Sequence, residues 1–132
     1  MDGLPFELRM LAWAILLGLV QIFLAAGAAT AQRGLAWNAS NRDRETSSLG
    51  GVAGRLDRAL RNFLETFPFF AAAVLAVVLA DRTDAGTALG AQIYLWARVA
   101  YVAVYAAGIP YLRSLIWAAG VLGLLKIWWG LL

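Results

Sequence analysis

Charged and polar side chains recur at helical spacing between residues 58 and 114, where they could bind an anionic ligand. One set falls at offsets of zero, three, four and seven residues and so shares one helical face: Arg58, Arg61, Asn62 and Glu65. A second set, at offsets of zero, four, seven and eleven, also shares one face: Tyr94, Arg98, Tyr101 and Tyr105. Arg113 and Ser114 stand at the predicted start of a further helix, where backbone N–H groups favour an anion. Together these residues predict a polar site at one level of a helical bundle.

Each of these residues could also have a purely structural role that involves no ligand. Glu65 could form a structural ion pair with Arg98, which would reduce a cost of about 2.5–3.5 kcal/mol for each charge at mid-bilayer. Arg58 and Arg61 could be interfacial anchors, and tyrosines near a membrane boundary are commonly belt residues. These explanations do not account for the convergence of so many Arg, Tyr, Asn and Glu side chains on one level, so we favour a ligand site.

Composition limits both the class of protein and its chemistry. The chain has 132 residues, of which 62% are hydrophobic and 14% charged. A soluble domain of this length would need more charge, whereas a membrane-spanning helix takes about 20 apolar residues. The sequence therefore predicts an integral membrane protein.

The sequence contains no Cys and no His, which excludes disulfides, a cysteine nucleophile, the usual zinc sites and His-ligated haem. We expect no metal and no nucleic-acid partner.

The apolar segments predict one all-α domain over residues 1–132, an up-down bundle of four spans at about 10–31, 55–80, 87–107 and 111–132. Residues 32–54 form the longest polar stretch. Short connections after the second and third spans force neighbouring helices to be antiparallel. Pro68 could kink the second span, and Gly86 and Gly90 could allow a close helix approach in the third.

The distribution of basic residues predicts the orientation of the bundle. One side holds Arg33, Arg42, Arg44, Arg55, Arg58, Arg61 and Arg113, and the other holds Arg9, Arg82 and Lys126. By the positive-inside rule, the 32–54 loop is cytoplasmic and both termini lie on the opposite side. The polar site is then expected in the cytoplasmic half of the membrane.

The sequence RALRNFLETFP at positions 58–68 resembles the second-helix motif of the MAPEG family, membrane-associated proteins of eicosanoid and glutathione metabolism. Its Arg, Arg-Asn, Glu-Thr and Pro pattern is most similar to that of the microsomal prostaglandin E synthases. The segments ARVAY at 97–101 and GIPYLRS at 108–114, with Tyr105 between them, resemble the third and fourth helices of the family, especially of its bacterial members. The resemblance covers nearly the whole chain.

The resemblance implies a homotrimer in a bacterial inner membrane that binds glutathione as co-substrate between neighbouring subunits. Arg113 matches the arginine that activates the glutathione thiol. The residues expected to hold the tripeptide are Arg58, Asn62 and Glu65, aided by Arg61, Arg98, Tyr101, Tyr105, Ser114 and, from the end of the first helix, Arg33.

We therefore predict a glutathione-dependent transferase or peroxidase that acts on hydrophobic small-molecule electrophiles arriving from the membrane lipid. The alternative is a non-catalytic MAPEG-like subunit that packs in a larger membrane complex or binds lipid. A proton or ion pathway through Glu65 and Arg98 is disfavoured, because the polar residues cluster in one half and do not cross the membrane.

Overall fold

The structure is a computed structural model that describes residues 2–39 and 49–132. Two arginines of the orientation argument, Arg42 and Arg44, lie outside the described residues. Within those ranges the chain is all-helical, and its five helices are α1 (Phe6–Arg33), α2 (Leu35–Ala39), α3 (Gly51–Leu79), α4 (Ala85–Ala107) and α5 (Leu112–Trp129). The predicted fold class, an all-α protein, is confirmed. Helix α3 continues through Pro68 without interruption.

Helix α1 buries a narrow stripe of small and polar residues. Its buried positions recur every three or four residues: Glu7, Leu11, Ala14, Gly18, Gln21 and Ala25. This spacing follows the period of an α-helix and directs the stripe toward α3 and α4, which both contact α1. The helix begins at Phe6, directly after the N-cap residue Pro5 and before the predicted span start at residue 10. In its first turn Glu7 is buried and accepts a hydrogen bond from the hydroxyl of Thr87 in α4.

The two ends of α4 are set by side-chain capping and by a glycine. Asp84 is the N-cap: its carboxylate accepts from the Thr87 backbone N–H, and the Thr87 hydroxyl accepts from the Asp84 backbone N–H. At the other end Gly108 adopts a left-handed backbone conformation with φ of 77°, which ends the helix. Short turns therefore join α3 to α4 and α4 to α5, and consecutive helices run antiparallel.

Helix α4 packs against each of the other three long helices, α1, α3 and α5. The ring of its Tyr94 stacks on Phe70 of α3 with centroids 4.0 Å apart. The same core includes Leu11 of α1 and Ile127 of α5. All four long helices thus contribute to one core around α4.

Helices α4 and α5 approach each other closely where two glycines face each other. A Cβ built on Gly90 would lie 2.6 Å from the carbonyl oxygen of Gly123, and a Cβ on Gly123 would lie 2.7 Å from the carbonyl oxygen of Gly90. Any larger residue would push the two backbones apart. Of the two glycines singled out in the sequence, Gly90 makes this approach, whereas Gly86 lies beside the Asp84 carboxylate of its own turn.

Three of the described helices, α1, α3 and α5, are long and apolar enough to cross a membrane. Helix α4 has 23 residues, about 34 Å at 1.5 Å per residue. Its hydropathy is lower because it carries Gln92, Arg98 and several tyrosines, but Arg98 and the tyrosines are buried against the other helices. Helix α4 therefore remains the expected fourth span of the bundle.

Candidate functional site

Hydrogen-bonded side-chain pairs connect α3 and α4 over successive helical turns. Among the described residues there are three such pairs: Thr66 with Tyr94, Asn62 with Arg98, and Arg58 with Tyr105. The donor–acceptor distances are 2.8, 2.8 and 3.1 Å, respectively. The order of the pairs follows from antiparallel packing, since residue numbers rise along one helix as they fall along the other. The predicted α4 stripe is buried as a unit at this interface.

Arg98 is the largest fully buried side chain among the described residues, with 1% of its surface exposed. Its guanidinium lies 4.4 Å from the ring centre of Tyr101 and 5.7 Å from that of Phe63. Its Nη1 donates to the Oδ1 of Asn62, while its Nε and Nη2 are buried without a hydrogen-bond partner in the described part of the chain. The positive charge is therefore offset mainly by two aromatic faces and one amide.

Glu65 and Arg98, the alternative ion pair, are not paired in the described part of the chain. Within residues 2–39 and 49–132, the one ion pair joins Arg61 to Asp57, with 3.1 Å between Nη2 and Oδ2. Glu65 is exposed on the outward side of α3. The buried guanidinium of Arg98 therefore donates to the neutral amide oxygen of Asn62, and not to the carboxylate of Glu65.

Two arginines from different helices meet on the ring of Tyr105. The guanidinium of Arg113 in α5 lies 4.7 Å from the ring centre, and that of Arg58 in α3 lies 5.8 Å from it. They border the Tyr105 cavity, about 450 Å³ in volume, which is lined by Arg55, Arg58, Tyr105, Gly108, Ile109, Pro110 and Arg113. The structure therefore brings Arg58, Tyr105 and Arg113 together.

A second cavity lies on the other side of Arg113. This Trp117 cavity has a volume of about 240 Å³ and is lined by Asn62, Tyr101, Arg113, Ser114 and Trp117. Arg113 lines both cavities, so its guanidinium can contact ligand groups in either one. Four residues expected to bind a ligand from the spacing argument and the resemblance thus occupy one small space.

Two members of the predicted α3 stripe point elsewhere. Arg61 and Glu65 are exposed and line neither cavity. Arg61 instead pairs with Asp57, which borders a groove on the α1 side of α3. Helix α4 contacts only one edge of the stripe, and this edge carries Arg58 and Asn62.

Arg33 also lies apart from the two cavities. Its guanidinium lies 4.7 Å from the ring centre of Trp37 in α2. Both residues border a groove of about 270 Å³ that also includes Asp57 and Leu60 of α3. Arg33 lines neither the Tyr105 cavity nor the Trp117 cavity.

The structure adds two residues that the sequence argument did not place in the site. Arg55 lines the Tyr105 cavity, and its Nε donates to the backbone oxygen of Ala106 at 3.0 Å, where the last carbonyls of α4 lack helical partners. Trp117 lines the second cavity. Both could have been found by extending the helical pattern, since Arg55 precedes Arg58 by three residues and Trp117 follows Arg113 by four.

The charges of the two cavities favour an anionic ligand. Three arginines line them, Arg55, Arg58 and Arg113, and among the described residues no carboxylate does. Arginine forks bind carboxylates with paired, charge-assisted hydrogen bonds. Arg113 also lies in the first turn of α5, where the helix dipole favours negative charge.

A family model described as the MAPEG family matches residues 10–132. No curated protein and no solved structure matches significantly. The matched range includes every residue of both cavities.

Proposed function

The chain belongs to the MAPEG family of membrane proteins, which implies a glutathione-related transferase or a related role, and we propose that it is a glutathione-dependent membrane transferase or peroxidase. The observation that carries the proposal is the pair of guanidiniums on Tyr105, from Arg58 and Arg113, at the edge of a cavity without a lining carboxylate. Glutathione carries two carboxylates, and these groups match the arginine donors. The apolar helices α1, α3 and α5 make the chain an integral membrane protein.

Arg113 is the residue proposed to activate the glutathione thiol. Lowering the pKa of a thiol from about 8.5 to about 6.5 needs about 2.7 kcal/mol of thiolate stabilisation. A guanidinium at a helix N-terminus in a partly enclosed cavity can supply an effect of this size. Glutathione then provides the nucleophilic sulfur, which agrees with the lack of Cys and His in the chain.

The electrophile is proposed to enter from the lipid beside Trp117. This side chain lines the cavity that Arg113 shares, yet 40% of its surface is exposed on the outer face of α5. It therefore joins the polar site to the lipid-facing surface of an apolar helix. A hydrophobic substrate could reach the sulfur by this side without crossing the arginine cluster.

The outward position of Glu65 supports an assembly of several copies. This carboxylate is exposed in the protomer although it lies within an apolar span, where a lipid-facing charge costs about 2.5–3.5 kcal/mol. A neighbouring copy would cover it. Such a copy could also bring its own Arg33 to the site, which the same protomer's Arg33 does not line. We therefore propose a homotrimer with glutathione between subunits, as the family resemblance implies.

The proposed setting is a bacterial inner membrane with residues 32–54 in the cytoplasm. Four of the arginines on the side assigned to the cytoplasm line the two cavities or the Arg33 groove: Arg33, Arg55, Arg58 and Arg113. Glutathione would then enter from the cytoplasm, where reduced thiols are maintained.

The test is glutathione binding and thiolate formation by the purified protein in detergent. Binding is measured by equilibrium dialysis, and the thiolate by its ultraviolet absorbance across a pH series. The wild type should bind glutathione and hold it as thiolate near neutral pH. Arg113→Ala should reduce turnover of a hydrophobic electrophile by roughly 100-fold, the loss expected for one stabilising donor.

The matched control is Arg82→Ala, which removes an exposed arginine at the opposite end of the bundle. It should leave binding and turnover unchanged. Absence of glutathione binding, or an Arg113→Ala variant as active as the wild type, would overturn the proposal. Lipid bound in the cavities, with stable co-purification of other membrane proteins, would instead support the non-catalytic alternative.

A further inference from the structure

Arg98 cannot itself contact a ligand in either cavity. Only 1% of its surface is exposed, and it lines neither the Tyr105 cavity nor the Trp117 cavity. Its polar contact among the described residues is the hydrogen bond from Nη1 to the Oδ1 of Asn62, at 2.8 Å. Asn62 is therefore the lining residue of the Trp117 cavity to which Arg98 is hydrogen-bonded, while Tyr101, which also lines it, contacts Arg98 through its ring.

The chemistry of arginine fixes which end of the Asn62 amide it contacts. A guanidinium has five N–H donors and no acceptor, so Asn62 must present its oxygen to Arg98. The amide nitrogen, with its two N–H donors, is then the end left for the Trp117 cavity that Asn62 lines. A flipped amide would place N–H groups against the guanidinium and bury a further unpaired donor, which is costly.

The other groups of the Trp117 cavity are compatible with a ligand acceptor. Arg113 and the indole of Trp117 can only donate, whereas the hydroxyls of Tyr101 and Ser114 can donate or accept. With the Asn62 amide fixed, no lining side chain of this cavity is restricted to accepting a hydrogen bond. An ammonium group in this cavity could donate only to the hydroxyls of Tyr101 and Ser114, and it would lie near the positive charge of Arg113.

We infer that Arg98 is a positioning residue that locks the Asn62 amide, so that the Trp117 cavity accepts a carboxylate, carbonyl or thiolate of the ligand and excludes its ammonium. The inference rests on the proposed function for the identity of that ligand, glutathione. It changes the expected role of Arg98 from direct contact with the ligand to orientation of the Asn62 amide.

The deciding variant is Asn62→Asp, which preserves the size of the side chain. A carboxylate oxygen can still accept from Arg98, so the variant should unfold at the same temperature as the wild type or a higher one. The atom facing the cavity, however, changes from a donor to a charged acceptor. Glutathione affinity should therefore fall by at least about tenfold, the loss expected when a charge-assisted contact becomes repulsive.

Two further variants separate positioning from simple support of the fold. Asn62→Leu removes the acceptor of a buried guanidinium and should lower the unfolding temperature as well as the affinity. Tyr94→Phe removes the neighbouring hydrogen bond with Thr66 but touches neither cavity. It should lower the unfolding temperature slightly and leave glutathione affinity unchanged.

Arg98 itself is tested with a conservative pair of substitutions. Arg98→Lys keeps a donor for the Asn62 oxygen and should retain more glutathione affinity than Arg98→Leu, which leaves the amide free to rotate. If the two variants lose affinity equally, the hydrogen bond has no part in orienting Asn62.

Repeating the Asn62→Asp measurement with S-methylglutathione identifies which ligand group accepts from Asn62. An equal loss of affinity for both ligands indicates a carboxylate or carbonyl, and a loss confined to glutathione indicates the thiolate.

The inference is overturned if Asn62→Asp binds glutathione as tightly as the wild type. If the wild type binds no glutathione at all, the proposed function fails, and the unfolding temperatures alone decide the inference. In that case an Asn62→Leu variant with the unfolding temperature of the wild type would show that the buried Arg98 does not need the Asn62 amide as a hydrogen-bond acceptor. This result would overturn the inference.

Discussion

The Nε of Arg58 donates a hydrogen bond to the hydroxyl of Tyr105 at 3.1 Å, across the interface of α3 and α4. The same tyrosine ring carries the guanidinium of Arg113, which comes from α5. The aromatic face attracts both cations, and the hydroxyl fixes the position of one of them. Tyr105 therefore holds two positive groups from different helices at a set separation, which is the feature a ligand with two carboxylates would recognise.

Removal of the Tyr105 hydroxyl should loosen Arg58 while leaving the ring in place. We expect Tyr105→Phe to lower the free energy of unfolding by about 0.5–1.5 kcal/mol, the net value of one hydrogen bond, and to weaken glutathione binding by about the same free energy. Thermal unfolding in detergent and equilibrium dialysis measure the two effects. Tyr111→Phe is the control, because Tyr111 is 85% exposed and lines neither cavity. Equal behaviour of the two variants would contradict the role of the hydroxyl.

A site shared between subunits should be restored by mixing two inactive variants. Arg33→Gln and Arg113→Ala are each expected to inactivate every site of a homotrimer, if one subunit supplies Arg33 and its neighbour supplies Arg113. Co-expression should recover on the order of a quarter of wild-type activity, because random pairing across a heterologous interface leaves that share of sites intact. If the co-expressed variants are no more active than the mean of the two variants expressed separately, the site lies within one protomer.

The four-span arrangement can be tested by labelling single cysteines, because the chain contains none of its own. Gly50→Cys and Ile109→Cys should react with a membrane-impermeant reagent from one side, and Thr83→Cys from the other. This pattern requires α4 to cross the membrane despite its lower hydropathy. Reaction of Thr83→Cys and Ile109→Cys from the same side would show that α4 does not span.

The glycine contact between α4 and α5 predicts a position-specific effect of one added methyl group. Gly90→Ala should reduce the free energy of unfolding by about 1–3 kcal/mol, because its Cβ would meet backbone of the facing helix. Gly27→Ala in α1 meets no atom within 4 Å and should be neutral or stabilising by up to about 1 kcal/mol, since alanine favours a helix. Thermal unfolding of both variants makes the comparison, and equal losses would contradict the close approach.

The helical periods of the sequence were sufficient to place Tyr94, Arg98, Tyr101 and Tyr105 on one face, and the structure buries that face. The absence of Cys and His likewise determined that any thiol chemistry must use a ligand's own sulfur. Apolar composition determined the membrane-protein class, because 14% charged residues cannot cover the surface of a soluble domain of this size. These properties are local or compositional, so they can be read without knowing how the helices pack.

Tertiary packing decided which of the aligned residues meet. Arg58 and Asn62 face α4 whereas Arg61 and Glu65 do not, and this division depends on the rotation of α3 about its axis. A helical wheel gives the angle between two residues of one helix but not the direction of its neighbour. For the same reason the partner of Arg98 is Asn62 and the glycine facing Gly90 is Gly123. Such pairings follow from the contacts between helices, which only the folded chain determines.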